Sequence, residues 1–208
     1  MSTSRRIALG LLLIAAPAGA AEFWFDPTQL PSFTGTVERY LLNPQGGTDA
    51  LLFREGPQVV FPPDVAQAVR RVAPVGRPIV VWGIRARSAP VITMLAFAPA
   101  ADAPPTLVDR FYWRADRQPP PERMLSVAGT VRAPFYESQG QVSGAVLDDG
   151  TVVMLPPGRA EAERALLQPG ARLAASGSGT EGPDGRALLA NRIGDKPETL
   201  RPLGAAPR

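Results

Sequence analysis

Short apolar runs punctuated by turn residues dominate the chain, and most are too short to be anything but strands. Residues 33–40, Phe-Thr-Gly-Thr-Val-Glu-Arg-Tyr, alternate as a half-buried strand does, with Gly35 permitting a bend. A loop through Asn43-Pro44-Gln45-Gly46-Gly47 follows, and residues 50–53 and 58–61 form a hairpin around Glu55-Gly56. The period then changes. From Pro62-Pro63-Asp64 onward, Val65, Ala68, Val69 and Val72 fall at i, i+3, i+4 and i+7, which predicts a short helix. Arg70 and Arg71 lie in its last turn, and Pro74 and Gly76 stop it. Residues 79–87 and 91–97 read as two closing strands.

The same pattern recurs 94 residues later. Gly35-Thr36-Val37 reappears as Gly129-Thr130-Val131, Gln45-Gly46 as Gln139-Gly140, and Pro62-Pro63 as Pro156-Pro157. Gly56, Gly76 and Gly83 match Gly150, Gly170 and Gly177, Val59 matches Val153, and Leu95-Ala96 matches Leu189-Ala190. With Ala66, Ala68 and Arg70 included, 16 of 66 ungapped positions are identical, about three times chance for so biased a composition. Seven of them are Gly or Pro, whose backbone geometry fixes turns and bends. An internal repeat therefore sets the architecture. In the second copy the hairpin turns on Asp148-Asp149-Gly150, the helix spans 158–167 and ends at Pro169-Gly170, and the closing strands are 172–178 and 187–193.

Three strands, a helix and two strands are the element order of the OB-fold, a five-stranded Greek-key barrel. The chain therefore resembles tandem OB-fold-like domains of exported bacterial proteins. The likeness rests on the G-T-V strand, the E-G or D-G hairpin, the P-P helix start and the P-x-G or P-G helix stop. The fold class expected is all-β with one short helix per unit, in two tandem OB-fold-like five-stranded Greek-key barrels. A pair of SH3-like barrels, or one larger sandwich, competes on pattern alone.

The expected domains are a signal peptide at 1–20, an aromatic lead-in at 21–30 and a first barrel at 31–99. A Pro-rich linker at 100–124, a second barrel at 125–195 and a disordered tail at 196–208 complete the chain. The signal peptide follows from Arg5-Arg6, the apolar run 7–16 and Ala18-Gly19-Ala20 after Pro17. It implies a periplasmic or secreted protein with no membrane span after cleavage. The lead-in carries Phe23-Trp24-Phe25 and the linker Phe111-Tyr112-Trp113, clusters that either pack against a barrel or stack a ligand.

Composition narrows the chemistry. The 208 residues contain no His and no Cys, which excludes an imidazole base, a Ser-His-Asp triad, a thiol nucleophile and a thiolate metal site. Asp148-Asp149 reads as turn chemistry rather than a cation site. The G-x-G-x-x-G spacing of Gly177, Gly179 and Gly182 leads into a strand, not a helix, and reads as the loop joining the last two strands. No enzyme activity, cofactor or metal is expected. The formal charge of +3 owes two units to Arg5 and Arg6, so the mature chain stands at +1, with little long-range pull on a polyanion.

OB barrels take ligands on the face of strands two and three, flanked by the loops joining strands one to two and four to five. Carried over by topology, the resemblance points to Tyr40, Arg54, Trp82, Arg85 and Arg87 as ligand-binding candidates in the first barrel. Trp82 has the parity of an outward residue, suited to stacking a base or sugar, or to covering the seam between the barrels; the seam is preferred. The second-copy equivalents, Pro134, Asp148, Ser176, Gly179 and Glu181, are neither aromatic nor basic. The expected function is a non-catalytic binding or scaffold protein acting on an envelope protein or peptide. The alternative is an oligonucleotide- or oligosaccharide-binding protein using the face of barrel 1.

Overall fold

A computed structural model describes residues 25–108 and 123–204. The first unit comprises β1 (Ser32–Leu42), β2 (Thr48–Phe53), β3 (Gln58–Val60), α1 (Ala66–Val72), β4 (Pro78–Arg85), β5 (Val91–Ala98) and β6 (Thr106–Leu107). The second comprises β7 (Met124–Tyr136), β8 (Val142–Leu147), β9 (Val152–Met154), β10 (Arg172–Gly182), β11 (Gly185–Gly194) and β12 (Arg201–Pro202). β1 lies between β2 and β4, and β3 closes onto β5 in parallel. The second unit closes identically through β9 and β11. These are two five-stranded closed barrels with the strand connections of the OB-fold.

The repeat is visible at the level of registers. Val37 faces Phe53 as Val131 faces Leu147, Gly35 faces Ile79 as Gly129 faces Leu173, and Ala50 faces Val60 as Gly144 faces Met154. Beyond the fourth strand the offset grows from 94 to 96, because Gln58 faces Val91 whereas Val152 faces Ala187. The sequence match of Leu95-Ala96 with Leu189-Ala190 is thus out of register. Two extra residues in the β10–β11 hairpin account for the difference: its strands stay paired down to Gly182 and Gly185, whereas β4 and β5 end at Arg85 and Val91.

Gly83 and Gly177 show why the repeat kept glycine. Each sits at a β-bulge, where β4 crosses β5 and β10 crosses β11. A Cβ on Gly83 would overlap the Thr93 carbonyl oxygen, and one on Gly177 the Leu189 carbonyl oxygen. The strong coil that closes so small a barrel brings the backbones into contact there.

Apolar side chains fill each barrel separately. Val37, Leu51, Val59, Phe61, Ile79, Ile92 and Phe97 meet in the first, with Ala66 and Val69 of α1 capping one end. Val131, Leu147, Val153, Leu173, Leu188 and Ile193 meet in the second, where Leu167 occupies the cap. The helix read over 158–167 is there a single 3-10 turn, Arg164–Leu167. Gly158, standing where Asp64 stands in the first copy, takes φ +75 and turns the chain out of a helical path.

Other expectations are corrected. The Gly177–Gly182 stretch lies inside β10 rather than in a loop. Residues 106–108, assigned to the linker, belong to barrel 1: β6 pairs with β5 and Val108 is fully buried in its core. The tail read as disordered from 196 carries β12 on β11, and Leu203 packs against the second core. Glu163, 4% exposed, holds Arg201 through both carboxylate oxygens and so anchors that strand. Two-residue strands are too short to show a periodicity, so no sequence pattern marks either of them. The signal peptide, Phe23-Trp24, Phe111-Tyr112-Trp113 and the tail beyond 204 lie outside the described residues.

Gly83→Ala is expected to cost more than about 3 kcal/mol in urea unfolding, since backbone rather than a pliable side chain must move. Gly56→Ala, at φ +103 with nothing within 4 Å, should cost only about 1–2 kcal/mol. Equal costs would show that the strand crossing does not fix the glycine.

Candidate functional site

The usual ligand face of each barrel is covered by the other barrel. Leu41, Leu42, Ala50, Val60, Ala89 and Val91 of the first unit form one buried cluster with Phe135, Val146, Val152 and Ala187 of the second. The alternation of the strands produces this. Val59 points into the barrel and Val60 into the seam, and Ile92 and Val91, Val153 and Val152, and Leu188 and Ala187 divide likewise. Strands buried on both faces read as continuous apolar runs. Each fully buried Leu or Val contributes about 1.5–3 kcal/mol. The ten-residue seam therefore outweighs the exposed ion pairs at its rim, worth about 0–1 kcal/mol each.

The contact has an approximate two-fold symmetry. A Cβ on Gly46 would lie 3.5 Å from Thr180 Cγ2, and one on its counterpart Gly140 would lie 3.0 Å from Ala86 Cβ, the counterpart of Thr180. Glu38 and Arg132 are repeat partners that meet across the axis at 3.2 Å, so one position carries opposite charges in the two copies. Other locks exist on one side only. Gln58, 2% exposed, donates from Nε2 to the Tyr136 carbonyl at 2.9 Å and accepts the Tyr136 N–H at 3.0 Å. It joins the seam as a strand edge would, whereas its counterpart is Val152. Arg39 donates to the Asp148 carbonyl at 3.0 Å, which docks the Asp148-Asp149 turn on barrel 1. Asp149 closes that turn by accepting the Thr151 N–H at 2.9 Å.

At the helix end of barrel 1 a clasp crosses to barrel 2. Arg70 of α1 reaches both carboxylate oxygens of Asp184, in the β10–β11 turn, and Thr48 Oγ1 donates to the same carboxylate at 2.6 Å. The Arg70 guanidinium lies 4.3 Å over the Tyr40 ring, and Tyr40 O–H donates to the Ala73 carbonyl at 2.7 Å. Burial pushes the Tyr40 phenol up to about 12, against the opposing pull of Arg70.

The five candidate residues therefore do not form one site. Tyr40 is 4% exposed and belongs to the clasp. Arg54 is exposed in the β2–β3 turn. Trp82 is half-buried opposite Ser32 and Ala96, away from the apolar seam, so it does not cover that contact as preferred. A 3-10 turn at Pro27–Gln29 packs along that side of β4 and β5. Arg85 and Arg87 are exposed around the β4–β5 turn, where they edge a shallow hollow. Topology places residues on a face but does not say what covers it.

The repeat counterpart of the clasp is open. Tyr40, Thr48, Arg70, Ala73 and Asp184 correspond to Pro134, Val142, Arg164, Leu167 and Ser88. Those five counterparts line a cleft of about 670 Å³, together with Tyr136, Gly140, Gln141, Ala160, Glu161 and others. Pro134 lacks the aromatic ring, Ser88 lacks the carboxylate, and Arg164 is 73% exposed, 3.7 Å from a still more exposed Glu161. Val142 is 38% exposed where Thr48 is buried. Burial raises the Tyr136 phenol. Sequence comparison at the 94-residue offset finds Arg70 and Arg164 as an identity; only the fold shows that their surroundings differ.

Gln58→Leu keeps the size but leaves the Tyr136 N–H and carbonyl without this partner. A loss of about 1–3 kcal/mol is expected, with faster hydrogen exchange at the Tyr136 amide. An unchanged amide would remove Gln58 from the seam. The raised Tyr40 pKa gives stability that is complete below about pH 10 and is lost as pH rises toward about 12, since the unfolded chain releases the proton first. The loss should be of order 2 kcal/mol. Tyr40→Phe should abolish that share, measured as chemical unfolding across that range.

No protein-family model matches the chain, and no curated protein does.

Proposed function

We propose that the protein is an exported, non-catalytic binding or scaffold module that acts through protein or peptide contact in the cell envelope. The reciprocal burial of the two barrel faces carries this reading. A barrel working as an oligonucleotide or oligosaccharide platform keeps its strand-two and strand-three face open. Here Leu42, Ala50 and Val60 on that side are buried against the sister barrel. That burial weighs against the alternative built on barrel 1, and Tyr40 is buried too. Arg54 lies exposed in the β2–β3 turn, apart from the exposed Arg85 and Arg87 around the β4–β5 turn.

Export is supported by Arg5-Arg6, the apolar run and Ala18-Gly19-Ala20. A chain without His or Cys supports a binding rather than a catalytic role. Among the described residues, the two-barrel block carries a cleft at the second barrel's cap, a shape suited to holding a short segment of another molecule.

Full-length protein produced in a bacterial host should appear in the periplasmic or secreted fraction, with an intact mass lacking residues 1–20. Cytoplasmic retention at full mass would overturn export. Mature protein titrated with fluorescein-labelled oligo-dT at low salt should give no saturable signal. Saturable binding that weakens steeply with salt would restore the nucleic-acid reading.

A further inference from the structure

We infer that the cleft at the cap of barrel 2 binds a ring-bearing carboxylate, with Arg164 as its anion-binding residue; this rests on the binding-module reading above. The closed clasp of barrel 1 is an internal template for the ligand. There a guanidinium on the cap segment is stacked on an aromatic ring and held edge-on by a carboxylate. The second copy keeps the guanidinium as Arg164 and loses both partners, Tyr40 becoming Pro134 and Asp184 becoming Ser88. A molecule supplying a ring and a carboxylate together would restore both contacts.

The walls fit this complement. Leu167 and Ala160 are buried beneath the cleft, while Val142 and Pro134 offer apolar surface where the ring would lie. The volume of about 670 Å³ is within the range of small-ligand sites. Arg164 is free to turn inward, because its tie to Glu161 is long and exposed and holds it weakly. A planar guanidinium binds carboxylate in bidentate fashion and accepts a ring on its face, as Arg70 does. In an adjoining hollow, Ser143 Oγ is buried without a hydrogen-bond partner among the described residues, a further polar contact for a longer ligand.

The ring and carboxylate can come from a free aromatic acid or from a peptide ending in an aromatic residue, and the probes separate the two. Mature protein is titrated calorimetrically with 3-phenylpropionate, 3-phenylpropionamide, and Gly-Gly-Ala-Phe with a free or amidated C-terminus. At least one free carboxylate should bind saturably, and its amide at least about tenfold more weakly. Tighter binding of the peptide assigns the peptide source, and tighter binding of 3-phenylpropionate the free acid. Arg164→Gln should weaken the bound acid by at least about tenfold. The double variant Pro134→Tyr, Ser88→Asp rebuilds the clasp inside the cleft and should abolish binding of every probe while raising the unfolding midpoint. If neither free acid binds, if amides bind equally, or if Arg164→Gln changes nothing, the inference fails. An envelope protein that crosslinks to wild type and equally to Arg164→Gln and the double variant would overturn the cleft assignment and leave the binding-module reading standing.

Discussion

The two barrels stand or fall on the apolar face they share. A barrel of about 70 residues buries a modest fraction of its surface alone. Here strands β2, β3 and β5 are apolar on both sides, so an isolated barrel 1 would expose Ala50, Val60 and Val91 to water. Contact with barrel 2 removes that surface, and the Gln58 side chain fixes the angle by bonding a single backbone unit, that of Tyr136. The direction comes from the hydrogen bonds and most of the free energy from the burial.

A shared face of this kind alters what an OB-type barrel can do. The surface that would hold a strand of nucleic acid or sugar becomes core, and the loops flanking it pack into the contact, as the approaches at Gly46 and Gly140 show. The two caps differ instead. At barrel 1 the cap is filled by the molecule's own Tyr40, Arg70 and Asp184, and at barrel 2 it is not.

Joining two copies in one chain permits this asymmetry. In a symmetric pair of identical chains, residues meeting on the axis would be identical, and like charges there would repel. In one chain the copies are free to differ, so Glu38 meets Arg132, Gln58 opposes the backbone while Val152 packs, and one clasp closes while its twin stays open. The identities that survive at the 94-residue offset concentrate at bends and turns such as Gly83 and Gly177, where backbone contact leaves no alternative. Seam and caps also carry differences, such as Gln58 against Val152 and Tyr40 against Pro134.

The amino-acid pattern by itself determined the ten longer strands, their order and the repeat, and so pointed to two barrels, because alternation and turn residues are local requirements. The apolar runs at 50–53 and 91–98, the second interrupted only by Thr93, also mark two-sided burial, although the run does not name the partner. Only the tertiary structure decided that the partner is the sister barrel, that Tyr40 is walled in, and that Trp82 sits away from the seam. The same holds for the two-residue strands β6 and β12, which exist through pairing with β5 and β11. Arg70 and Arg164 are the sharpest case, with one residue type in one repeat position. Asp184, 114 residues from Arg70 in the chain, closes its site, and no local pattern encodes a contact across that separation.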